Sequence, residues 1–422
     1  MGYGHLRAAQ PLADLLRLPL LELDRAPVAD AGDALRWGRA RRFHEGLSRA
    51  SQWPVVGAPF LALMDAYTQI AGLQPGHDLS APTLASRGLR KLIDRGLGRA
   101  LVHHLRESGA TLLTTFYAPA LIADAAGLPS VCLVTDADCH RVWVADDPAK
   151  SRIRYLAPSR RVVRRLIAYG VPSDRIALTG FPLPVELLGG KELPALRSNL
   201  AARLARLDPE ERFRTSHAPE LAGALPPPPV APASEAPLVV FAIGGAGAQG
   251  PLARRVLASL APALREGRLR LALVAGLRKN LAETFAAWAR ELGLEHGLEI
   301  LHADAWLPYY RRFNELLARA DVLWTKPSEM TFYGALGLPL VLAPPVGGHE
   351  RYNARWALEN GAGLLQPDPS IAGGALLEWL EDGSLAEAAW SGFRRLPSRG
   401  TYEIASWLLP PSAPSGDQRR VE

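Results

Sequence analysis

Cysteine is nearly absent from this chain. Its 422 residues hold two, Cys132 and Cys139, too few for a disulfide framework, and no Cys/His spacing resembles a zinc site. Such scarcity fits a reducing, cytoplasmic setting. Long apolar runs are missing too. None reaches the roughly 20 residues that a membrane-spanning helix needs, and the N-terminus shows no signal-peptide pattern. A glycine-rich stretch at 244–250 lacks the Gly-Lys-Ser/Thr ending of a P-loop, which argues against ATP hydrolysis. Nor is charge of one sign concentrated. Lys+Arg 48 against Asp+Glu 42 gives a net +6. That mild excess reads first as a solvated, arginine-rich surface and second as attraction to anionic lipid or an anionic sugar nucleotide. Nothing points to a nucleic-acid partner. What remains is ordinary for a globular protein, with 48% hydrophobic and 21% charged residues and length enough for two to three domains, each with ample core.

The most informative stretch runs from Ala320 to Gly363, ADVLWTKPSEMTFYGALGLPLVLAPPVGGHERYNARWALENGAG. It reads as strand, loop, helix, strand, loop, helix. Residues 321–325 form an apolar run ending in a polar turn, as a buried parallel strand should. Ser328 is an N-cap candidate with Glu329 in the first turn. A helix over 330–336 stops at Gly337, and 338–343 is a second buried strand. After Pro344-Pro345, the pair Gly347-Gly348 leads into His349-Glu350 and a helix through Asn353 to Asn360-Gly361. Both loops present polar residues at helix N-termini, which attract anions, and ligands of open α/β sheets sit beyond the carboxyl ends of the strands. The block therefore reads as half of a nucleotide site. Upstream, an apolar strand at 238–243, a loop with Gly244, Gly245 and Gly247, and a helix over 252–264 supply the geometry that brings backbone N–H groups to a diphosphate. Lys326, at a strand end, faces the same place.

The first half carries the other candidates. Met1-Gly2-Tyr3-Gly4-His5 is a tight, titratable loop ahead of a helical pattern starting at Leu6. Residues 19–23 read as a strand. The aromatic-rich region 36–71, with Trp37, Phe43, Trp53, Phe60 and Tyr67, reads as helices packing a core. One amphipathic helix is expected over 89–107 and a strand over 111–116. The strand 130–135 runs directly into Asp136-Ala137-Asp138-Cys139-His140. Carboxylates and a histidine at a strand's carboxyl end can serve as a general base beside an acceptor hydroxyl. Asp136 and His140 are the candidates, while Asp138 is as easily a structural cap. Arg160, Arg161, Arg164 and Arg165 are expected on one helix face, either solvated or against a membrane surface. The stretch 188–237, with its polyproline tract, reads as interdomain sequence with a helix over 193–207.

The motif order GxGH, then TD-x-x-x-H-x-x-W, then GVPSDRIALTGFPLP, then TKP, GLP, E-x-x-NA and ENGAG resembles the GT-B glycosyltransferases. In particular it resembles the family of the peptidoglycan lipid-intermediate N-acetylglucosaminyltransferase and the monogalactosyldiacylglycerol synthases. The resemblance implies an α/β GT-B fold, two Rossmann-like domains facing a cleft. Residues 1–187 would form the acceptor-side domain, without its first strand in this chain, and 188–237 a Pro-rich interdomain segment. Residues 238–385 would bind the nucleotide sugar, and 386–422 would be a tail partly crossing back. Donor contacts would be Gly244, Gly245, Gly247, Lys326, Ser328, Glu329, Glu350 and Asn353. The catalytic group would comprise His5, Asp136 and His140, with Asp136 or His5 as base. The implied reaction is inverting, metal-independent transfer from a nucleotide sugar, a UDP-sugar, to a hydroxyl of a small-molecule or lipid acceptor. No cofactor is implied beyond that substrate, and peripheral contact with the inner membrane face follows from the lipid-acting members. Two departures stand out. The family has a glycine pair after TKP and a ribose-binding glutamate late in the next helix; here Ser328-Glu329 comes early and Gly334-Ala335 late, with Glu329 a replacement from the helix's other end. The strand that precedes GxGH in the family is absent, so a native chain longer by ten or so upstream residues is expected. A nucleotide-sugar 2-epimerase and a non-catalytic GT-B-like nucleotide-sugar-binding protein remain as alternatives.

Overall fold

The computed structural model describes residues 2–50, 70–74, 76–228, 235–242, 250–294, 297–345 and 347–409. Its first domain holds β1 (Leu112–Thr114), β2 (Ser130–Leu133), β3 (Ile153–Ala157) and β4 (Ile176–Leu178), in that spatial order and all parallel. The central strand β2 is buried along its whole length, as a strand covered on both faces by helices must be. The helix α1 (Tyr3–Leu16) lies at the seam with the second domain; the helix Tyr117–Ala125 and α4 (Arg160–Ala168) lie on the sheet, and α2 (Leu84–Asp94) and α3 (Arg99–Ser108) pack against Tyr117–Ala125. Ser159 caps α4 by accepting a hydrogen bond from the Val162 N–H at 3.2 Å.

The second sheet contains β5 (Leu238–Ala242), β6 (Arg270–Gly276), β7 (Leu298–His302), β8 (Val322–Thr325), β9 (Leu340–Leu342) and β10 (Gly363–Leu365). Its order is β10-β9-β8-β5-β6-β7, all parallel. The winding reverses between β5 and β8, so a crevice opens beyond their carboxyl ends. The two sheets belong to two Rossmann-like domains that meet across a cleft, the architecture expected of a GT-B fold.

Several local expectations are corrected. No strand forms over 19–23; Pro19 has no N–H to give a ladder, and Leu21 is exposed while only Leu23 is buried. The single helix expected over 89–107 is two, α2 and α3, because Gly96 and Gly98 adopt φ of +91° and +81°, a region helices cannot use. Tyr3 already begins α1, so Gly4 and His5 lie in its first turn and not in a loop ahead of it. Glu329–Leu336 is a 3-10 helix whose residues Met330 to Leu336 are all buried; Gly334 lies against Leu396 and Ala362. The region 51–69, with Trp53, Phe60 and Tyr67 of the aromatic-rich stretch, lies outside the described residues. Trp37, within them, packs edge-on to Phe116.

Among the described residues of the stretch 188–237, a helix is built into the core of the second domain. This helix, α5 (Pro194–Leu207), buries Leu200, Leu204 and Leu207 with Val239 and Phe241 of β5. Arg203 of α5 is also fully buried, donating to the carbonyls of Ala320 at 2.7 Å, Leu336 at 2.9 Å and Gly337 at 3.0 Å. Burial pushes its pKa down to about 10, against the pull of Asp321, which still leaves it charged at neutral pH. Arg206 pairs with Asp321 at 2.8 Å, and Asp321 accepts the Leu238 N–H at 2.8 Å. Polyproline sequence reads as a linker; the apolar face of α5 before it decides otherwise.

Contacts between the domains are extensive and largely dry. Phe181 stacks on Phe332, centroids 4.5 Å apart at 4°, inside one apolar cluster that also takes in Leu12 of α1 and Leu336. The last described helix, α9 (Gly400–Leu408), follows α8 (Ser384–Arg395) and lies on the first domain. Thr401 Oγ1 donates to the Leu183 carbonyl at 2.6 Å, and Arg154 of β3 lies 4.4 Å from the Trp407 ring centroid. Because Arg203 satisfies three buried carbonyls, Arg203→Ala should cost about 3 kcal/mol through the orphaned acceptors and the void. Urea unfolding should show a lower midpoint at unchanged slope; an unchanged midpoint would mean that α5 is not part of the domain core.

Candidate functional site

The loop after β8 faces the seam. Thr325 Oγ1 donates to the Ala242 carbonyl at 2.9 Å, tying the ends of β8 and β5 together. Lys326 Nζ then reaches Glu350 Oε1 at 2.8 Å, where Glu350 stands in the first turn of α7 (Gly348–Glu359), counting α6 as Trp306–Arg319. Burial opposes the Lys326 charge, but Glu350 first and Glu329 and Asp136 after it outweigh burial and leave its pKa raised. Glu329 turns the other way, toward α1. Its Oε1 accepts from Arg7 Nη1 at 2.8 Å, and its carboxylate sits so close to Gly4 that a Cβ there would lie 2.6 Å from Oε2. Burial would raise the Glu329 pKa; Arg7 and Lys326 overcome it and hold the carboxyl below its usual range.

Asn353 joins the two halves. Its fully buried side chain uses both ends of the amide. Oδ1 accepts the Ala137 N–H at 2.8 Å, while Nδ2 donates to Asp136 Oδ1 at 3.0 Å and lies 3.4 Å from the Pro327 carbonyl. Ala137 is further fixed by Ser159, whose Oγ donates to its carbonyl at 3.0 Å. His5 comes to the same place from α1. Its Nδ1 donates to the Thr115 carbonyl at 2.7 Å, Thr115 Oγ1 donates back to the His5 carbonyl at 3.0 Å, and its ring lies 4.9 Å from that of Phe116. Burial lowers the His5 pKa, with Asp136 opposing. A neutral ring donating from Nδ1 keeps its lone pair on Nε2. Asp136, His5, Lys326, Glu329, Glu350 and Asn353 are thus one group at the carboxyl ends of both sheets.

One expected member, His140, has a structural role of its own. His140 caps the short 3-10 turn Arg141–Trp143, its Nδ1 accepting the Val142 N–H at 3.0 Å. Burial, helped by Arg141, pushes its pKa down to about 4, so its place in the structure is that of a neutral cap. Ser328 precedes the 3-10 helix without a capping hydrogen bond from its side chain. Its hydroxyl is buried with no well-formed hydrogen bond, yet close enough to help lower the Glu329 pKa. Gly244, Gly245 and Gly247 lie outside the described residues. Asp138 is structural: Arg161 Nε reaches Oδ2 at 2.7 Å and Arg165 Nε reaches Oδ1 at 2.8 Å, with Asp138 and Arg165 wholly buried. The four arginines expected on one face of α4 therefore divide, 161 and 165 inward and 160 and 164 exposed. Arg7 escaped the sequence reading. The available sign was a long cation one helical turn after Gly4, on the face that must pack.

Asp138→Ala should cost about 3–5 kcal/mol, the price of stranding a buried charge, measured by urea unfolding; a cost within error of zero would contradict the buried triad. Glu329 has a depressed folded pKa, so its contribution to stability is full above its usual 4.5 and is lost as pH falls through the folded value. The advantage of wild type over Glu329→Gln should hold at neutral pH and shrink in acid. An advantage that grows in acid would reverse the sign and refute the pairing. By NMR, His140 should stay neutral until about pH 4, whereas a midpoint near 6.5 would place it in solvent.

Comparison with known proteins adds an independent line. A domain of unknown function, DUF6938, matches residues 284–383. The chain is 22% identical over 240 residues to the processive diacylglycerol beta-glucosyltransferase of Bacillus subtilis (strain 168), covering 56% of this chain and 51% of that protein. It is 24% identical over 264 residues to monogalactosyldiacylglycerol synthase 3, chloroplastic, of Arabidopsis thaliana, covering 60% and 46%. Its relatives in sequence are therefore glycosyltransferases, as the motif order implied, and the chain spans about half the length of each. Among solved structures, UDP-GlcNAc 2-epimerase from Neisseria meningitidis bound to UDP-GlcNAc is similar at 14% identity and a TM-score of 0.48, over 78% of this chain and 84% of that one, a likeness too loose to bear on function. Among the described residues, no helix is long and apolar enough to cross a membrane.

Proposed function

We propose that this chain is a glycosyltransferase that moves a sugar from a UDP-sugar to the hydroxyl of a lipid acceptor with inversion at the anomeric carbon. The observation that carries the reading is the meeting of Asp136 and His5 from one domain with Lys326, Glu350 and Asn353 from the other. Lys326 and the N-terminus of α7 would meet the charge gathering on a diphosphate leaving group, with Asp136 or His5 as the base opposite. In the proposed step the acceptor oxygen loses its proton to the Asp136 carboxylate or to His5 Nε2 and bonds to the anomeric carbon. The bond from that carbon to the diphosphate oxygen breaks, and UDP leaves with the electron pair. Lys326 exchanges part of its bond to Glu350 for a phosphate oxygen. The names of the relatives support both a sugar donor and a lipid acceptor, and the lipid class implies peripheral membrane contact at the cytoplasmic face.

The test is transfer of labelled sugar from UDP-glucose, UDP-galactose and UDP-N-acetylglucosamine to a membrane lipid extract. Labelled lipid is the expected product. Of Asp136→Asn and His5→Asn, the one that removes the base should lower turnover by about 10²–10⁴-fold while UDP affinity holds. Isomerised nucleotide sugar formed without acceptor would replace this reading with a 2-epimerase, and binding without any product would replace it with a non-catalytic role.

A further inference from the structure

We propose that Arg7 is a positioning residue, clamping Glu329 across the domain seam so that the nucleotide-sugar loop after β8 is complete only while α1 is docked on it. The inference rests on the nucleotide-sugar reading above and concerns a residue which that reading does not use. Arg7 and Glu329 are 322 residues apart in the chain, and their side chains are only 4% and 11% exposed. Both terminal nitrogens of the guanidinium are engaged, while Nε is buried without a hydrogen-bond partner. One edge donates to Glu329 at 2.8 Å, Nη2 donates to the Tyr309 hydroxyl at 2.5 Å, and its flat face rests 5.6 Å and 5.1 Å from the ring centroids of Tyr309 and Phe313 on α6. A planar, always-charged fork suits this place and a flexible ammonium suits it less.

From the side of Glu329 the dependence is stronger. Its nearest other cation, Lys326, is engaged with Glu350. Without Arg7 a buried carboxylate would lack its ion-pair partner and would either take up a proton or swing out. Its second oxygen is set by Gly4, one turn before Arg7, where the missing Cβ leaves room for the carboxylate. Space from Gly4 and charge from Arg7 thus fix a second-domain loop from the first turns of α1. Tyr3 stacks on Trp306 with centroids 5.7 Å apart, and Trp306 Nε1 donates to Gln10 Oε1 at 3.1 Å, so α1 is held against α6 on either side of Arg7.

The experiment is calorimetric binding of UDP to the whole chain in wild type, Arg7→Gln, Arg7→Lys, Glu329→Gln and the double variant Arg7→Gln/Glu329→Gln, with melting temperatures alongside. Arg7→Gln should weaken UDP by about tenfold or more. Arg7→Lys, which keeps the charge but not the fork, should recover part of that loss, and the double variant should bind no worse than Glu329→Gln alone. Should Arg7→Gln fail to fold, Gly4→Ala carries the test: its added methyl displaces the carboxylate, and weakened UDP is again expected. Unchanged UDP affinity in the folded variants, with only the melting temperature lowered, would make Arg7 a packing residue and overturn the proposal. Additive losses in the double variant would do the same. A wild type that binds no UDP defeats the nucleotide-sugar reading and this one with it, whereas a wild type that binds and variants that bind equally defeat this one alone.

Discussion

One amide constrains the centre of the molecule. Asn353 is wholly buried and has hydrogen-bond partners on both domains, the Asp136–Ala137 turn on one side and the Pro327 carbonyl on the other. An amide out of water is costly unless its donors and acceptors are met, so the turn after β2 and the loop after β8 must lie together for it to be tolerated. Everything nearby respects that distance. Ser159 at the start of α4 holds the Ala137 carbonyl, Phe181 and Phe332 close the floor of the seam, and α9 straps the second domain's tail onto the first. The catalytic candidates thereby stand at facing ends of two rigid sheets and not on free loops, the placement that holds reacting groups in register.

Charge is arranged with the same economy. Two cations, Arg7 and Lys326, and three carboxylates, Asp136, Glu329 and Glu350, share a poorly solvated seam, where Coulomb terms are stronger than in water. Each cation has a carboxylate within 2.8 Å, and the third carboxylate, Asp136, is met by the Asn353 amide. The two pairs differ in character. Arg7 and Glu329 are almost sealed, whereas the Lys326 side chain keeps 30% of its exposure and can trade its partner for an incoming anion. A site built this way has one pair suited to hold shape and another suited to meet phosphate.

Much of this was legible from local pattern. Buried parallel strands are short apolar runs ending in turns, so β1, β2, β5, β8 and β9 could be read to within two residues at each end, and with them the turns that carry Asp136 and Lys326. Asn353 was picked out by the E-x-x-NA resemblance, but its partner Asp136 lies 217 residues away, and no local pattern encodes such a pair. The same limit hid Arg7. His140 and Asp138 show the converse: a histidine and a carboxylate after a strand looked like chemistry, yet one caps a turn and the other neutralises two inward arginines. Gly96 and Gly98 broke a helix that amphipathic spacing alone made continuous. The helix α5 was legible within a residue, but its packing on Val239 and Phe241 was not, because those partners lie beyond the proline-rich stretch.

The most direct measurement is thermal unfolding of the whole chain against a panel of UDP-, GDP-, ADP- and TDP-sugars. A ligand that binds the native seam raises the melting temperature by an amount that grows with the logarithm of its concentration above Kd. A stabilising shift confined to the UDP-sugars, and lost in Asn353→Ala, is the predicted result. No shift with any nucleotide sugar would contradict a donor site at the meeting of the two sheets.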